Sequence, residues 1–190
     1  KLALMGARTV LLYKLPTAHT DEHVETMLEA LKTVDFDVLV YPYAKSGTAA
    51  SAAQQKIAAW IKAMQDDEGK NVTAVLPNYP ADTEYIINNT QGTVLSDGSS
   101  LTAYETAAWI GGITAGASIT KSNTAQKFEG AIDVVPRMTR SEQEGAIKAG
   151  KFILDVDRSQ NVTVVADINS LTSIGQSKSD IMKQNRSVRT

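Results

Sequence analysis

The sequence predicts an α/β fold with a mostly parallel sheet flanked by helices and one additional β-hairpin. Short β-prone apolar runs alternate with amphipathic helical patterns in the first half of the chain, as is typical of a parallel sheet. Near the end of the chain, two β-prone runs are separated by a short polar turn, which predicts the hairpin. The chain has 190 residues, enough for one well-buried core. We therefore predict a single domain over 1–190, with the irregular stretch around 80–100 as a candidate small lobe.

The first half of the chain supplies the alternating elements. Buried strands are predicted at 9–15, 37–43 and 72–76, because each is a short apolar run close to a proline. Helices are predicted over 20–34, with Thr20 as the N-cap, and from the turn at 46–48 up to Asp66, because apolar residues recur there at helical spacing. Three strands separated by two helices favour right-handed crossovers between parallel neighbours.

The middle of the chain is less regular. Short strands are predicted at 85–88 and 93–95, on either side of a glycine. A long helix is predicted over 101–117, because Thr102 and Glu105 have the spacing of a capping box.

The last part of the chain again shows clear sequence patterns for strands and a helix. A strand is predicted at 131–135 and a helix at 141–149, which ends at Gly150. The runs 152–157 and 162–168 are predicted to pair as the hairpin.

The composition limits the classes of function. The formal net charge is −2 and 21% of the residues are charged, which is not the basic composition of a nucleic-acid-binding domain. Cysteine is absent, which excludes disulfides, thiolate zinc sites and cysteine nucleophiles. The longest weakly polar run, 107–119, is shorter than the roughly 20 residues that a membrane-spanning helix needs, so no span is expected.

The two histidines match the H-x-x-E-H pattern of one class of metalloprotease. That chemistry requires both imidazoles on one helical face, with a third ligand and an open coordination position. We expect the helix to begin at Thr20, which leaves His19 before its first turn and separates it from His23. The sequence therefore predicts no metal site here.

A glycine-rich segment, Gly111–Gly116, has spacing like that of a phosphate-binding loop. Ala117 and Ser118 follow where such a loop has a lysine and then a hydroxyl residue, so nothing would reach the terminal phosphates. Close packing of the helix against a neighbour is the favoured interpretation, and no nucleotide or other cofactor is expected.

Three aspartates near the hairpin offer a further alternative. Asp155, Asp157 and Asp167 could converge on a cation if the hairpin pairs as predicted. The favoured interpretation is that they lie on the outward face of strands whose other face is apolar.

Four basic residues follow the hairpin, within a segment of helical pattern. At about 100° per residue, Lys178, Lys183, Arg186 and Arg189 fall within an arc of roughly 140°. Cations also gather at helix C-termini because the helix dipole favours them there. Both explanations remain open, and the four residues are our candidate assembly interface.

A series of short blocks, in its order along the chain, resembles the tail sheath proteins of contractile-tailed phages and prophages. The resemblance covers most of the chain and is strongest over 101–189. Its blocks are Ala107–Ala117, Ser122–Thr124, Phe128–Ala131, Ala149–Lys151, Asp167–Leu171 and the pair Asn185–Arg186.

The resemblance implies a structural subunit rather than an enzyme. Such subunits polymerise around an inner tube, and contraction of the sheath drives that tube through a bacterial envelope. The expected partners are other sheath subunits in hexameric rings, the inner tail tube protein and the baseplate. The expected location is the virion tail sheath, assembled in the bacterial host cytoplasm.

The N-terminal arm and the C-terminal domain of a complete subunit of this family are not recognisable in the chain. The resemblance therefore implies a core fragment, and we expect the isolated fragment to be monomeric because it lacks the arms that join neighbours.

Two other classes of function remain. An α/β enzyme or small-ligand-binding domain would need convergent polar residues at the carboxyl ends of the strands, near Pro16, Tyr43 and Pro77. Lys45 and Asn78 are polar residues there, but they form no recognisable pattern. The other class is an oligomerisation module of a different assembly.

Overall fold

The structure is a computed structural model that describes residues 1–43, 48–118 and 121–173. Within these ranges the chain forms four α-helices, nine β-strands and a short 3-10 turn, Ala3–Met5. The helices are α1 (Asp21–Leu31), α2 (Thr48–Asp66), α3 (Ala103–Gly116) and α4 (Arg140–Lys148). The strands are β1 (Val38–Val40), β2 (Thr73–Val75), β3 (Ile86–Asn89), β4 (Gly92–Leu95), β5 (Ser100–Leu101), β6 (Ala131–Val135), β7 (Lys151–Phe152), β8 (Leu154–Val156) and β9 (Val162–Val164).

The largest sheet of the described residues is parallel, with strand order β1-β2-β3-β7. Its two faces are covered by different helices. Ala74 and Ile86 belong to the core cluster that includes residues of α1 and α2, whereas Val75 and Ile87 belong to the cluster that includes residues of α3. Successive side chains of a strand point to opposite faces, so β2 and β3 are buried on both sides.

Two antiparallel units complete the described fold. Strands β5, β4 and β6 form one sheet, with a register shift between Val94 and Leu95. Strands β8 and β9 form the hairpin. The predicted α/β class, with a parallel sheet, flanking helices and a hairpin, is confirmed.

Capping hydrogen bonds begin α3 and α4, and a glycine follows the end of α4. Thr102 and Glu105 form the predicted capping box: Thr102 N donates to Glu105 Oε2 at 2.8 Å, and Glu105 N donates to Thr102 Oγ1 at 3.3 Å. A second capping box, between Thr139 and Glu142, starts α4, and its hydrogen bonds lower the pKa of Glu142. Gly150 follows α4 with a φ of +66°, the left-handed conformation expected of a C-terminal glycine.

The prediction of a strand at 9–15 is wrong. These residues adopt no regular secondary structure and pair with no strand of the described chain. Leu15 is buried, whereas Leu11 and Leu12 are 63% and 92% exposed. The physical reason is that β-propensity reflects packing on a pleated, half-buried surface, and the described residues offer no such surface beside this segment.

The hairpin is shorter than predicted at both ends: β8 begins at Leu154 rather than 152, and β9 ends at Val164 rather than 168. Residues Lys151 and Phe152 form β7, which pairs in parallel with β3, so only Leu154–Val156 pairs with β9. The irregular stretch around 80–100 contributes β3 to the parallel sheet and β4 to the antiparallel sheet. Among the described helices, none is long and apolar enough to cross a membrane.

Candidate functional site

The carboxyl edge of the parallel sheet is the position where an α/β fold places a ligand site. The buried side chains of Asn89 and Gln91 lie at this edge. Asn89 donates from Nδ2 to the carbonyl oxygen of Ala103 at 2.8 Å and accepts from the Gln91 backbone N–H at 3.2 Å. Gln91 donates from Nε2 to the Pro136 carbonyl and accepts at Oε1 from the Leu154 N–H, both at 2.8 Å. These amides join the sheet edge to α3, to the end of β6 and to the hairpin.

Two further amides act in the same way on the other side of this edge. Gln54, on α2, donates from Nε2 to the carbonyl oxygen of Pro77 at 2.8 Å. Asn88 accepts the backbone N–H of Tyr79 at 3.1 Å. All four amides therefore bond to backbone groups, which fixes loops in place rather than presenting polar atoms to a ligand.

The two histidines also have structural partners. His19 is 3% exposed; its Nδ1 lies 3.1 Å from the Pro16 carbonyl and its Nε2 lies 2.5 Å from the Tyr41 hydroxyl. A carbonyl can only accept, so Nδ1 donates to Pro16, while Nε2 and the Tyr41 hydroxyl share the second hydrogen bond. Burial, followed by the neighbouring Tyr43, raises the pKa of Tyr41 to about 12. His19 thus holds the turn before α1 against the end of β1.

His23 forms hydrogen bonds at the start of α1. Its Nδ1 accepts from the backbone N–H of Thr20 at 3.0 Å and lies 2.9 Å from the Thr20 hydroxyl. The predicted cap at Thr20 is confirmed, with His23 as its partner in a capping box. Within the described ranges, no group of three His, Cys, Asp or Glu side chains has the arrangement of a metal site.

The glycine-rich segment packs α3 closely against two neighbours, as predicted. A Cβ at Gly112 would lie 2.2 Å from the carbonyl oxygen of Ala3, and one at Gly116 would lie 2.0 Å from that of Gly6. On the adjacent face, a Cβ at Gly111 would lie 2.2 Å from Val40 Cγ2. Glycine is required here because only a bare backbone lets the N-terminal turn and β1 approach α3 this closely.

The three aspartates near the hairpin bond to separate segments instead of a shared point. Asp167 is buried and accepts the Asn123 backbone N–H at 2.8 Å, and Asp155 accepts the backbone N–H of the residue after it. Asp157 organises the hairpin turn by accepting the Ser159 and Asn161 N–H groups, both at 2.8 Å. The bond from Asn161 is the main cause of its lowered pKa. The outward-face interpretation holds for Asp155, which lies in β8 on the opposite face from Leu154 and Val156. Asp157 is exposed in the turn, and Asp167 is buried outside the strands.

Sequence reasoning missed a clasp between the loop before β3 and residues 170–173. Asp82 accepts the backbone N–H groups of Thr172 and Ser173 at 2.7 and 2.8 Å, and these bonds lower the pKa of Asp82 to about 2. Ser170 donates from its backbone to Ile86 O at 2.8 Å and from its hydroxyl to Thr83 O at 3.0 Å. The sequence block 167–170 marked one side of this contact, but nothing in the sequence indicated Asp82 as its partner. The candidate interface of Lys178, Lys183, Arg186 and Arg189 lies outside the described residues.

At the candidate sites within the described residues, the polar side chains thus hold backbone segments together. Residues 17–170 match the family described as the phage tail sheath protein central domain. The chain belongs to this family of tail sheath proteins.

Several relatives and solved structures resemble the chain. The tail sheath protein of Clostridium phage phiCD119 is 30% identical over 176 residues, covering 93% of this chain and 47% of that protein. The phage-like element PBSX protein XkdK of Bacillus subtilis is 36% identical over 163 residues, covering 85% of this chain and 34% of that protein. The chain therefore spans about a third to a half of the length of these relatives.

Crystal structures of two sheath tail proteins share the fold. The protein from Desulfitobacterium hafniense has a TM-score of 0.82 at 34% identity, over 95% of this chain and 45% of that chain. The protein from Listeria innocua has a TM-score of 0.80 at 34% identity, over 90% of this chain and 39% of that chain. The helical sheath of the anti-feeding prophage in its contracted state has a TM-score of 0.68 at 13% identity, over 97% of this chain and 54% of that chain, which shows a common fold.

Proposed function

We propose that this chain is the core of a subunit of a contractile tail sheath. The sheath polymerises around an inner tube and contracts to drive the tube through a bacterial envelope. The observation that carries the proposal is the family membership over residues 17–170. The likeness to a sheath in its contracted state adds support at the level of the fold.

The packing of the core suits such an assembly. In a bistable polymer each subunit moves as a rigid body, and the free energy of the transition is stored in contacts between subunits. The parallel sheet is covered on both faces, and the buried amides of Asn89 and Gln91 link it to α3 and the hairpin. The arrangement resists internal deformation, so rotation of one subunit is transmitted to its neighbours.

The proposed partners are other sheath subunits in hexameric rings, the inner tail tube protein and the baseplate. The proposed site of action is the virion tail, after assembly in the bacterial host cytoplasm. We assign residues 1–190 to one core domain, and Lys178, Lys183, Arg186 and Arg189 to an assembly interface. The arms that join neighbours would belong to other parts of the longer protein, so we expect the isolated chain to be monomeric.

The test is assembly of the longer polypeptide that contains this chain. We expect electron microscopy to show tubes or rings when it is produced with the tail tube protein, and light scattering to show a monomer for residues 1–190 alone. A longer polypeptide that stays monomeric with the tube protein would contradict the sheath function. A stable hexamer of residues 1–190 would contradict the division into core and arms. Thermal-shift screening against small metabolites tests the alternative of a ligand-binding domain, for which a saturable shift is required.

A further inference from the structure

The segment 9–14 combines the sequence of a buried strand with an exposed position. It reads Thr-Val-Leu-Leu-Tyr-Lys, and its β-branched and aromatic residues are those enriched in strands. Leu11 is 63% exposed, Leu12 92% and Tyr13 45%. Three consecutive large apolar side chains are thus left in water, although monomeric proteins rarely expose contiguous apolar surface of this kind.

The pattern of apolar residues indicates what kind of strand this would be. In an extended chain, Leu11 and Tyr13 point to one side, while Val10 and Leu12 point to the other. An edge strand on a solvated sheet would alternate apolar and polar residues. Apolar residues on both sides are characteristic of a strand that is covered on both faces.

The segment is held at both ends. On its N-terminal side, the turn Ala3–Met5 rests on α3 at Gly112, and Gly6, which follows the turn, rests on α3 at Gly116. On its C-terminal side, Leu15 is buried in the cluster that includes residues of α1 and α2. Part of the conformational entropy of the segment is therefore already lost, which favours the binding of a complementary strand.

We propose that residues 9–14 are an interior β-strand of a sheet that another part of the same longer polypeptide completes and covers. The Bacillus and Clostridium phage relatives carry about half or more of their length outside the region matched here, which is ample for such a lobe. An intramolecular partner is favoured over a neighbouring subunit for two reasons. A tethered strand has a high effective concentration, and a subunit must remain soluble before it polymerises. This inference is independent of contraction and of the candidate basic interface.

Hydrogen–deuterium exchange tests the proposal directly, in residues 1–190 and in the longer polypeptide kept monomeric. We expect the amides of residues 10–14 to exchange at nearly the unprotected rate in the short chain, and at least about 100-fold more slowly in the longer monomer. Equal exchange in both proteins would overturn the proposal. Protection that appears only in the polymer would assign the partner to a neighbouring subunit, and protection that rises with the concentration of the short chain would assign it to a second copy. Both outcomes also contradict the proposal.

A pair of substitutions provides a second readout. Leu12→Lys should lower the Tm of the longer monomer by several degrees while leaving that of residues 1–190 unchanged within about 1 °C, because Leu12 is covered only in the longer protein. Leu12→Ile, which keeps an apolar β-prone side chain of the same volume, is the matched control and should lower the Tm of the longer monomer much less than Leu12→Lys does. An equal loss of Tm in both proteins with Leu12→Lys would place the residue in the core of the short chain and refute the inference. If the lysine variant of the longer protein does not fold, the exchange measurement on the unsubstituted proteins decides.

Discussion

The substitution Gln91→Ala tests whether the amides at the sheet edge hold the fold together. The Gln91 side chain is fully buried, and its two hydrogen bonds link residues far apart in sequence. Alanine removes both bonds and leaves the Leu154 N–H and the Pro136 carbonyl without this partner. If the edge amides served a ligand instead, their removal would affect binding more than folding.

The cost follows from the environment of each group. The bond to the Leu154 N–H is buried, so its loss carries the full penalty of about 1–3 kcal/mol. The bond to the Pro136 carbonyl is only partly buried, and water can replace it at a cost of about 0.5–1.5 kcal/mol. With the lost packing of the side chain, we expect a decrease of about 3 kcal/mol in the free energy of unfolding. For a chain of this size that corresponds to a decrease in Tm of about 6–12 °C.

Urea denaturation followed by circular dichroism measures the free energy, and thermal unfolding measures the Tm. The control is Gln143→Ala, because Gln143 is half-buried and makes one longer bond, 3.3 Å, to the carbonyl of Met138. The control should change stability by about 0.5 kcal/mol or less. A loss below about 1 kcal/mol for Gln91→Ala would refute the structural role of this amide.

Three further predictions concern close packing, the clasp and the assembly surface. Gly112→Ala should destabilise the chain by about 1–3 kcal/mol in urea denaturation, since the new methyl group meets backbone; Gly145→Ala, in open space on α4, should stabilise it by about 0.4–1 kcal/mol. The pKa of Asp82 is lowered to about 2, so its bonds stabilise the fold above its ordinary pKa of 3.8 and are lost as the pH falls through about 2. The stability difference between the natural chain and Asp82→Asn should therefore shrink between these two pH values, and a difference that is constant with pH would contradict the clasp. Combined charge reversal at Lys183 and Arg186 should impair assembly in electron micrographs and leave core stability within roughly 1 kcal/mol; normal assembly would remove these residues from the interface.

Local sequence patterns were sufficient to predict several features of the helices. The capping box of Thr102 and Glu105 fixes the start of α3 because its partners are three residues apart. The apolar spacing that predicts α1 and α2 also corresponds to the buried faces that these helices present to the sheet. Glycines in α3 predicted close packing, because a missing Cβ has the same effect whatever the neighbour is.

The pairing of the strands depends on residues that are far apart in sequence, so local patterns could not predict it. Strand β7 pairs with β3 because the hydrogen bonds available to Lys151 and Phe152 depend on which backbone lies beside them. The same dependence leaves residues 9–15 without regular structure, despite a strong local preference for a strand.

The class of the fold, the N-cap positions of α1 and α3 and the family of the chain could all be predicted from the sequence, because they depend on local spacing and on short blocks in a fixed order. The roles of polar residues such as His19, Asp82 and Gln91 could not be predicted in this way, because their partners are set by the fold. Their bonds join segments 22 to 91 residues apart, and the chemistry of one amide, imidazole or carboxylate is compatible with many partners until the fold brings one of them within hydrogen-bond distance.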